Sequence, residues 1–308
     1  MHVVAVVVTW NRRDLLVESL DAVRGQSTPV AATVVVDNAS TDGTDEVLAA
    51  YDGLDVVTLS ENTGGAGGFA AGIERALAAY DPDLVWLMDD DTVAEPTALE
   101  EALAVYAGAE PTPAVVASRA VWTDGRDHPM NTPRRKPGAS ETEVRDARAV
   151  GAMPIRSASF VSILCEVAAI RERGLPIADY FLWNDDFEFS TRLLRGRSGL
   201  YCPASVVVHK TKAFGSTDAD PGPRFYYEVR NKTWLYTRSD GLAPLEKAMY
   251  AGSTVRRWVR TMAASRDRRT LWRGLGRGLR DGIRSGPRTN DAVLTRARTA
   301  ATDESDGE

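Results

Sequence analysis

Residues 84–93 read L-V-W-L-M-D-D-D-T-V, and the fold follows from how that stretch is understood. Leu84 through Met88 form an unbroken apolar run, short for a helix. It predicts a strand buried on both faces, as in the middle of a parallel sheet. Asp89, Asp90 and Asp91 follow at its carboxyl end. Three adjacent carboxylates repel one another and need a neutralising partner. Strand side chains alternate, so Asp89 and Asp91 point to one side and Asp90 to the other. Two carboxylates on one side make an oxygen clamp suited to Mg²⁺ or Mn²⁺, ions usually held by one or two carboxylates with substrate phosphates completing the shell. In open α/β sheets, ligands bind outside the carboxyl ends of the strands. The same triplet also suits an acidic strand leaving the sheet into solvent, and a motif this short does not decide between the two.

Upstream, residues 3–8 (V-V-A-V-V-V) predict a first buried strand, and residues 14–23 a helix with Asp14 placed to cap it. Residues 33–36 predict a second strand, 44–51 a helix and 56–59 a third strand. That alternation implies an α/β domain with a mainly parallel sheet and right-handed crossovers. The first strand-to-helix turn reads T-W-N-R-R. A dinucleotide-binding unit needs glycines there, so an NAD-type enzyme is excluded. The glycines come later, in E-N-T-G-G-A-G-G-F (61–69), before a helix expected over 70–79. Exposed N–H groups at a helix start form an anion site; a tight turn with close helix packing is the other reading.

Downstream, residues 124–150 are polar, with three prolines and the cluster Arg134-Arg135-Lys136. They read as a mobile insertion: a lid, or a solvated loop. Next comes W-N-D-D-F-E (183–188), flanked by Tyr180, Phe181 and Phe189. An apolar wall raises a carboxylate's pKa and improves it as a base near neutral pH. Glu188 and Arg192 stand at i,i+4, the spacing of a surface salt bridge. A strand over 205–208 ends at His209, either a metal ligand or a structural histidine.

The chain has 308 residues and a net charge of -6, yet residues 247–288 hold 12 Lys and Arg against 2 Asp and Glu. An acidic body with a basic end suggests an anionic partner for that end. Trp258, Leu271, Trp272, Leu275, Leu279 and Ile283 alternate with the arginines there, which suits helices lying on an anionic membrane better than nucleic acid. Helices packed on the main domain are the alternative. Residues 221–288 are thus expected as a helical extension of a domain spanning 1–220, and 289–308 as a disordered tail. Cys165 and Cys202 lack disulfide or zinc spacing and read as buried thiols. No targeting segment or membrane span is expected, which points to a cytoplasmic protein.

In order, V-V-V-T-x-N-R, V-V-V-D-N, N-T-G-G-A-G-G-F, W-L-M-D-D-D, W-N-D-D-F-E and V-V-H resemble the inverting family 2 glycosyltransferases of GT-A fold. The likeness is greatest to bacterial cell-wall galactofuranosyltransferases, with rhamnosyltransferases close by, and spans roughly residues 3–236. It implies transfer of a sugar, galactofuranose foremost, from a UDP-linked donor to a glycan or polyprenyl-diphosphate-linked glycan at the inner face of the membrane. By the same resemblance, Thr9 and Asp37 match positions that hold uridine, and Asn62 and Gly64 match the loop beside the ribose and diphosphate. Asp89, Asp91 and His209 match the metal site, with Asp90 on the donor side. Asp186 matches the catalytic base, and Trp183, Asp185 and Glu188 match the acceptor wall. Asn184 departs from the pattern, since tryptophan directly precedes the acidic pair in the galactan polymerases. The chain also lacks their amino-terminal β-rich domain and fits an initiating enzyme better. Two rivals are weighed against it. Asp89-x-Asp91-x-Val93 also fits the haloacid-dehalogenase phosphatase pattern, with Asp89 as nucleophile and Asp185-Asp186 as a second metal pair, although that family places the motif on its first strand. A non-catalytic sugar-binding module is the other.

Overall fold

A computed structural model describes residues 1–211, 214 and 220–303, with backbone only for 299–303. Its framework is one ten-stranded sheet. Strands β1 (Val3–Thr9), β2 (Ala32–Asp37), β3 (Leu54–Thr58) and β4 (Leu84–Asp89) run parallel in the order β3-β2-β1-β4. Beyond them lie β5 (Thr92–Ala94), β6 (Val115–Val121), β7 (Arg134–Arg135), β8 (Met153–Ser157), β9 (Ile163–Glu166) and β10 (Gly199–His209). The order continues β4-β9-β6-β10-β8-β7, with β5 on β10. Here only β6 and β10 pair in parallel, and β9 runs against both β4 and β6. The sheet is therefore parallel in its first half and mixed in its second.

The helices are α1 (Arg13–Arg24), α2 (Thr44–Ala49), α3 (Gly64–Tyr80), α4 (Ala98–Gly108), α5 (Glu141–Ala149), α6 (Val167–Arg173), α7 (Asp185–Leu193), α8 (Phe225–Thr237), α9 (Pro244–Ala264), α10 (Arg268–Arg284) and α11 (Asn290–Asp303). Alternation along β1 sorts them into two layers. Val4, Val6 and Val8 pack with Phe69 and Ile73 of α3 and Phe189 of α7. Val3, Ala5 and Val7 pack with Leu16 and Leu20 of α1 and Leu99 of α4. Trp86 and its neighbours in β4 are buried completely, as a central strand requires.

Several expectations are corrected. Asp14 lies inside the first turn of α1, not at its cap. The glycine run is not a loop; it forms the first turns of α3. A Cβ at Gly68 would overlap Val8, and one at Gly72 would overlap Val6, so glycine lets α3 settle against β1. The 124–150 segment has structure of its own: β7, and α5 started by a capping box between Ser140 and Glu143. The stretch taken for a disordered tail carries α11. Val293, Leu294 and Ala297 bury themselves in the α3 layer, and Ser60 donates to the carbonyl of Ala297. Residues 304–308 of that stretch lie outside the described residues. Cys165 and Cys202 are free and buried, as expected.

The helical extension exists, and packing accounts for one face of it. Helix α10 packs along α8 through a face of small residues: a Cβ on Gly278 would lie 2.7 Å from Val229 Cβ, and one on Gly282 would lie 2.6 Å from Thr233 Cβ. Leu271 is buried in that contact. The opposite face leaves Trp272 and Ile283 exposed, as are Leu245, Met249, Val255 and Val259 of α9. No helix among the described residues is long and apolar enough to cross a membrane.

Candidate active site

Asp89 ends β4, Asp91 follows it and His209 ends β10. One ligand atom from each lies within 4.8 Å of the others. Asn131 orients the histidine. Its amide nitrogen donates to Ser159 at 3.2 Å, which turns its oxygen toward His209 Nδ1 at 2.8 Å. Nδ1–H therefore donates to Asn131, and Nε2 presents a lone pair. That lone pair faces Asp91 Oδ1 at 3.1 Å, a buried oxygen without a hydrogen-bond partner among the described residues. Two acceptors turned toward one another, with Asp89 alongside, fit a divalent cation in donor type and spacing. Burial and the charges of Asp91 and Asp90 push the Asp89 carboxyl well above its usual pKa, with Asp185 adding to the effect. Against its own burial, Asp91 is held below its usual pKa by His209, when Nε2 carries a proton in place of a cation, and by Arg12.

Asp90 lies in the two-residue turn between β4 and β5 and meets the β1–α1 turn. Its oxygens are already engaged: Oδ2 accepts from Thr9 Oγ1 at 2.9 Å and from the Trp10 N–H at 3.1 Å, and Oδ1 accepts from Arg12 at 3.3 Å. Burial raises its pKa to about 6 although Arg12 opposes the shift. Its visible work is to pin the β1–α1 turn. Arg12 bonds Asp91 as well and is the neutralising partner that the triplet demands. Asp37 is buried beside Thr9 in register, and its Oδ1 accepts from the Ser40 N–H at 3.0 Å. Asn62 caps Gly64 at 2.7 Å. The start of α3 is a poor anion site. The N–H groups of Thr63, Gly64 and Ala66 are already taken by Asn38, Asn62 and the Phe181 carbonyl.

The second acidic cluster hangs on a strained loop. Phe181, Trp183 and Asn184 have φ of 65, 63 and 66°, a region that bulky residues avoid. Asn tolerates it, and Asn184, the departure noted above, takes the N-cap position of α7 and donates to Glu228 at 2.8 Å. Asn231 of α8 clamps the loop through one amide nitrogen, which reaches the carbonyls of Tyr180, Leu182 and Trp183 at 2.9, 2.9 and 2.8 Å. From the other side Gly64 makes room: a Cβ there would overlap the Phe181 carbonyl, which accepts from the Ala66 N–H. Gly64 thus has a structural reason that lies in the loop.

The loop delivers two carboxyls with different environments. Burial and the neighbouring Asp186 push Asp185 up to about 8. Burial also raises Asp186, but the Phe187 N–H, Lys232 and Arg134 counter it. Glu188 requires a correction. It is not on an acceptor wall but buried, with both oxygens on Arg192 at 2.9 and 3.0 Å and one also accepting from Ser239 at 2.7 Å. Arg192 goes on to the carbonyls of Arg173, Gly174 and Leu175. The pair is an internal brace, not a surface salt bridge.

A cleft of about 710 Å³ joins Asp89 and His209 to Trp183, Asp185 and Asp186. Thr9, Asp37, Asn62, Gly64, Asp90 and Asp91 do not line it. Sequence reading missed several partners. His128, inside the segment read as a mobile insertion, is fully buried with its ring centre 4.9 Å from that of His209. Asn131 and Asn231 join the site from distant segments, as do Lys232 and Arg134, the latter from the basic cluster noted above. Arg12 also carried a signal, adjacent to the first strand in the T-W-N-R turn.

This architecture is that of the GT-A glycosyltransferases. Staphylococcus aureus TarS 1-349 in complex with UDP-GlcNAc is similar at a TM-score of 0.61 and 18% identity, over 98% of this chain and 89% of that one. The mannosyltransferase PcManGT from Pyrobaculum calidifontis, in complex with GDP-Man and Mn²⁺, is similar at 0.55 and 19%, over 98% and 80%. Residues 4–168, more than half of the chain, match the family described as Glycosyl transferase family 2, and the chain belongs to that family. Galactofuranosyltransferase GlfT1 of Mycobacterium tuberculosis is 29% identical over 301 residues, 88% of this chain and 92% of that protein. Family membership displaces both the phosphatase reading of Asp89 and the non-catalytic one.

Proposed function

We propose that the protein is a metal-dependent inverting glycosyltransferase that moves galactofuranose from UDP-galactofuranose onto a hydroxyl of a glycan or lipid-linked glycan in cell-envelope polysaccharide synthesis. The observation that carries this is a single cleft lined by Asp89 and His209, which Asp91 completes as a cation-ready triad from outside the lining, and by the Asp185–Asp186 pair. The donor sugar rests on the likeness to the mycobacterial galactofuranosyltransferase.

A Mg²⁺ or Mn²⁺ ion on Asp89, Asp91 and His209 supplies neutralisation of the charge that develops on the departing nucleoside diphosphate. Thr9, Asp37, Asn62, Gly64 and Asp90 frame the nucleotide side, the last by fixing the turn that carries Arg12. Asp186 takes the proton of the acceptor hydroxyl. The freed oxygen bonds to the anomeric carbon from the face opposite the diphosphate, and the carbon–oxygen bond to the diphosphate breaks, with inversion. The two carboxyls suit different tasks, a pattern typical of acid–base sites. Asp185 keeps its proton near neutral pH and can donate a hydrogen bond, whereas Lys232 and Arg134 favour ionised Asp186. Trp183, half-exposed in the cleft, offers a flat face to the acceptor sugar.

The outer faces of α9 and α10 combine exposed Trp272, Ile283, Val255 and Val259 with arginines. They suit attachment to an anionic membrane from the cytoplasmic side. The decisive experiment is calorimetric binding of UDP, GDP and dTDP, with and without Mn²⁺, by wild type and Asp91→Ala. Mn²⁺-dependent UDP binding that Asp91→Ala abolishes is expected. Preference for dTDP or GDP would replace the donor, and no nucleotide binding would overturn the reading.

A further inference from the structure

The cleft has a cationic end that the transfer chemistry described above uses only to favour ionised Asp186. Lys232 of α8 is only 5% exposed and lines the cleft. Its ammonium sits 4.3 Å above the centre of the Phe187 ring, and the guanidinium of Arg134 lies 5.6 Å from that same centre. Neither makes an ion pair or side-chain hydrogen bond among the described residues. The nearby acids do not resolve this. Glu228 is taken by Arg257, by Asn184 at 2.8 Å and by the Trp258 indole at 3.1 Å. Asp186 Oδ1 accepts from the Phe187 N–H at 2.6 Å. Burial pushes the Lys232 ammonium down to about 8, and Arg257 and Arg134 push the same way against Glu228 and Asp186. A buried ammonium without an acceptor is costly, and its persistence calls for an anion in the cleft.

We propose that Lys232 and Arg134, with Arg257 behind them, form a phosphate-binding subsite for the acceptor, separate from the donor's metal triad, and that the acceptor sugar is carried on a diphosphate seated there. Both cations lie against Phe187, the residue after Asp186, so an anchored phosphate would hold the attached sugar near the base. The apolar part of the carrier has a way out. Trp258 lines the cleft, and Val255 and Val259 on the same helix are exposed. The diphosphate is therefore that of a lipid carrier, and this rests on the transferase reading above.

The test is calorimetry of the full chain in EDTA, which disables the metal triad, with inorganic pyrophosphate and with farnesyl diphosphate. Wild type should bind. Lys232→Met should weaken binding about tenfold or more, the scale of losing a charge-assisted contact, and Arg134→Gln should weaken it severalfold. Asp91→Ala should not weaken it. Tighter binding of farnesyl diphosphate than of pyrophosphate upholds a lipid carrier. Equal affinity upholds the subsite but overturns the lipid, making the acceptor a soluble phosphate ester. No binding by wild type, undiminished binding in both cationic variants, or loss in Asp91→Ala overturns the subsite. Arg134 is exposed, so its variant decides the matter if Lys232→Met does not fold. Mn²⁺-dependent UDP binding in the same samples reports separately on the donor reading, which stands or falls without Lys232.

Discussion

Replacing Asn231 by Ala should unlatch the loop that presents Asp185 and Asp186 while leaving the proposed donor half intact. The Asn231 amide serves three carbonyls of residues 180–183. A net hydrogen bond is worth about 1 kcal/mol, and a buried carbonyl stripped of its donor costs about 1–3 kcal/mol. The loop also stores strain at Phe181 and Trp183, on the order of 1–3 kcal/mol each, which the lost bonds would no longer oppose. Arg230 still ties the carbonyls of Asp179 and Tyr180 at 2.7 and 3.1 Å, so the opening should stay within 181–184. A local destabilisation of about 2 kcal/mol corresponds to roughly thirtyfold faster amide exchange there. Hydrogen exchange by mass spectrometry on peptides covering 180–187, together with urea unfolding and Mn²⁺-dependent UDP calorimetry, reads out all three consequences. Exchange unchanged in that peptide would refute the clamp. Loss of UDP binding would refute the separation of loop and donor site.

Three further outcomes are expected. The Asp185 carboxyl lies at about 8 in the folded chain against roughly 4 unfolded. The unfolded chain therefore sheds its proton first, and stability falls as pH rises between those values. Metal-free Asp185→Asn should equal wild type near pH 4 and exceed it in denaturant midpoint at pH 7.5; a gap that does not change with pH contradicts this. Glu188→Gln, which strands the buried Arg192 guanidinium, should cost about 2–4 kcal/mol in urea unfolding with the acceptor KM unmoved, and a KM rise would restore it to the acceptor wall. Trp272 and Ile283 are 62% and 63% exposed, so Trp272→Ala/Ile283→Ser should leave Tm unchanged while cutting cosedimentation with anionic vesicles about fivefold or more. Equal cosedimentation would remove that face from membrane binding.

The parallel half of the sheet was legible because β1, β2 and β4 carry buried apolar runs, whereas β3, at the edge, is only partly covered. The acidic triplet was legible as carboxylates at the end of an apolar strand, but β4 ends at Asp89, so the β4–β5 turn and not strand alternation brings Asp91 near it. The glycine run misled, because glycine disfavours helix locally and the close seat of α3 on Val6 and Val8 outweighs that preference. Helix α11 was missed because, among the described residues, its buried apolar face consists of Val293, Leu294 and Ala297. Glu188 looked functional by position and is structural, since nothing local reveals that Ser239 and three carbonyls await the Glu188–Arg192 pair. Asn131, His128, Asn231 and Lys232 reach the site across long stretches of chain, and no local pattern announces a tertiary partner.

Helix α8 has consequences for how this chain can be inherited and cut. Asn231, on one side, braces the catalytic loop, while Val229 and Thr233, on the other, receive the glycines of α10. Arg156 of β8 is tied to Glu246 of α9 at 2.6 Å, and Arg288 reaches back to Asp179 at 2.7 Å. Residue 221 is therefore no seam. A chimera that grafted another enzyme's carboxyl-terminal helices onto this sheet would inherit their bracing of the loop along with their surface. In this chain, the outer helical surface and the bracing of the acidic loop can be expected to evolve as one trait.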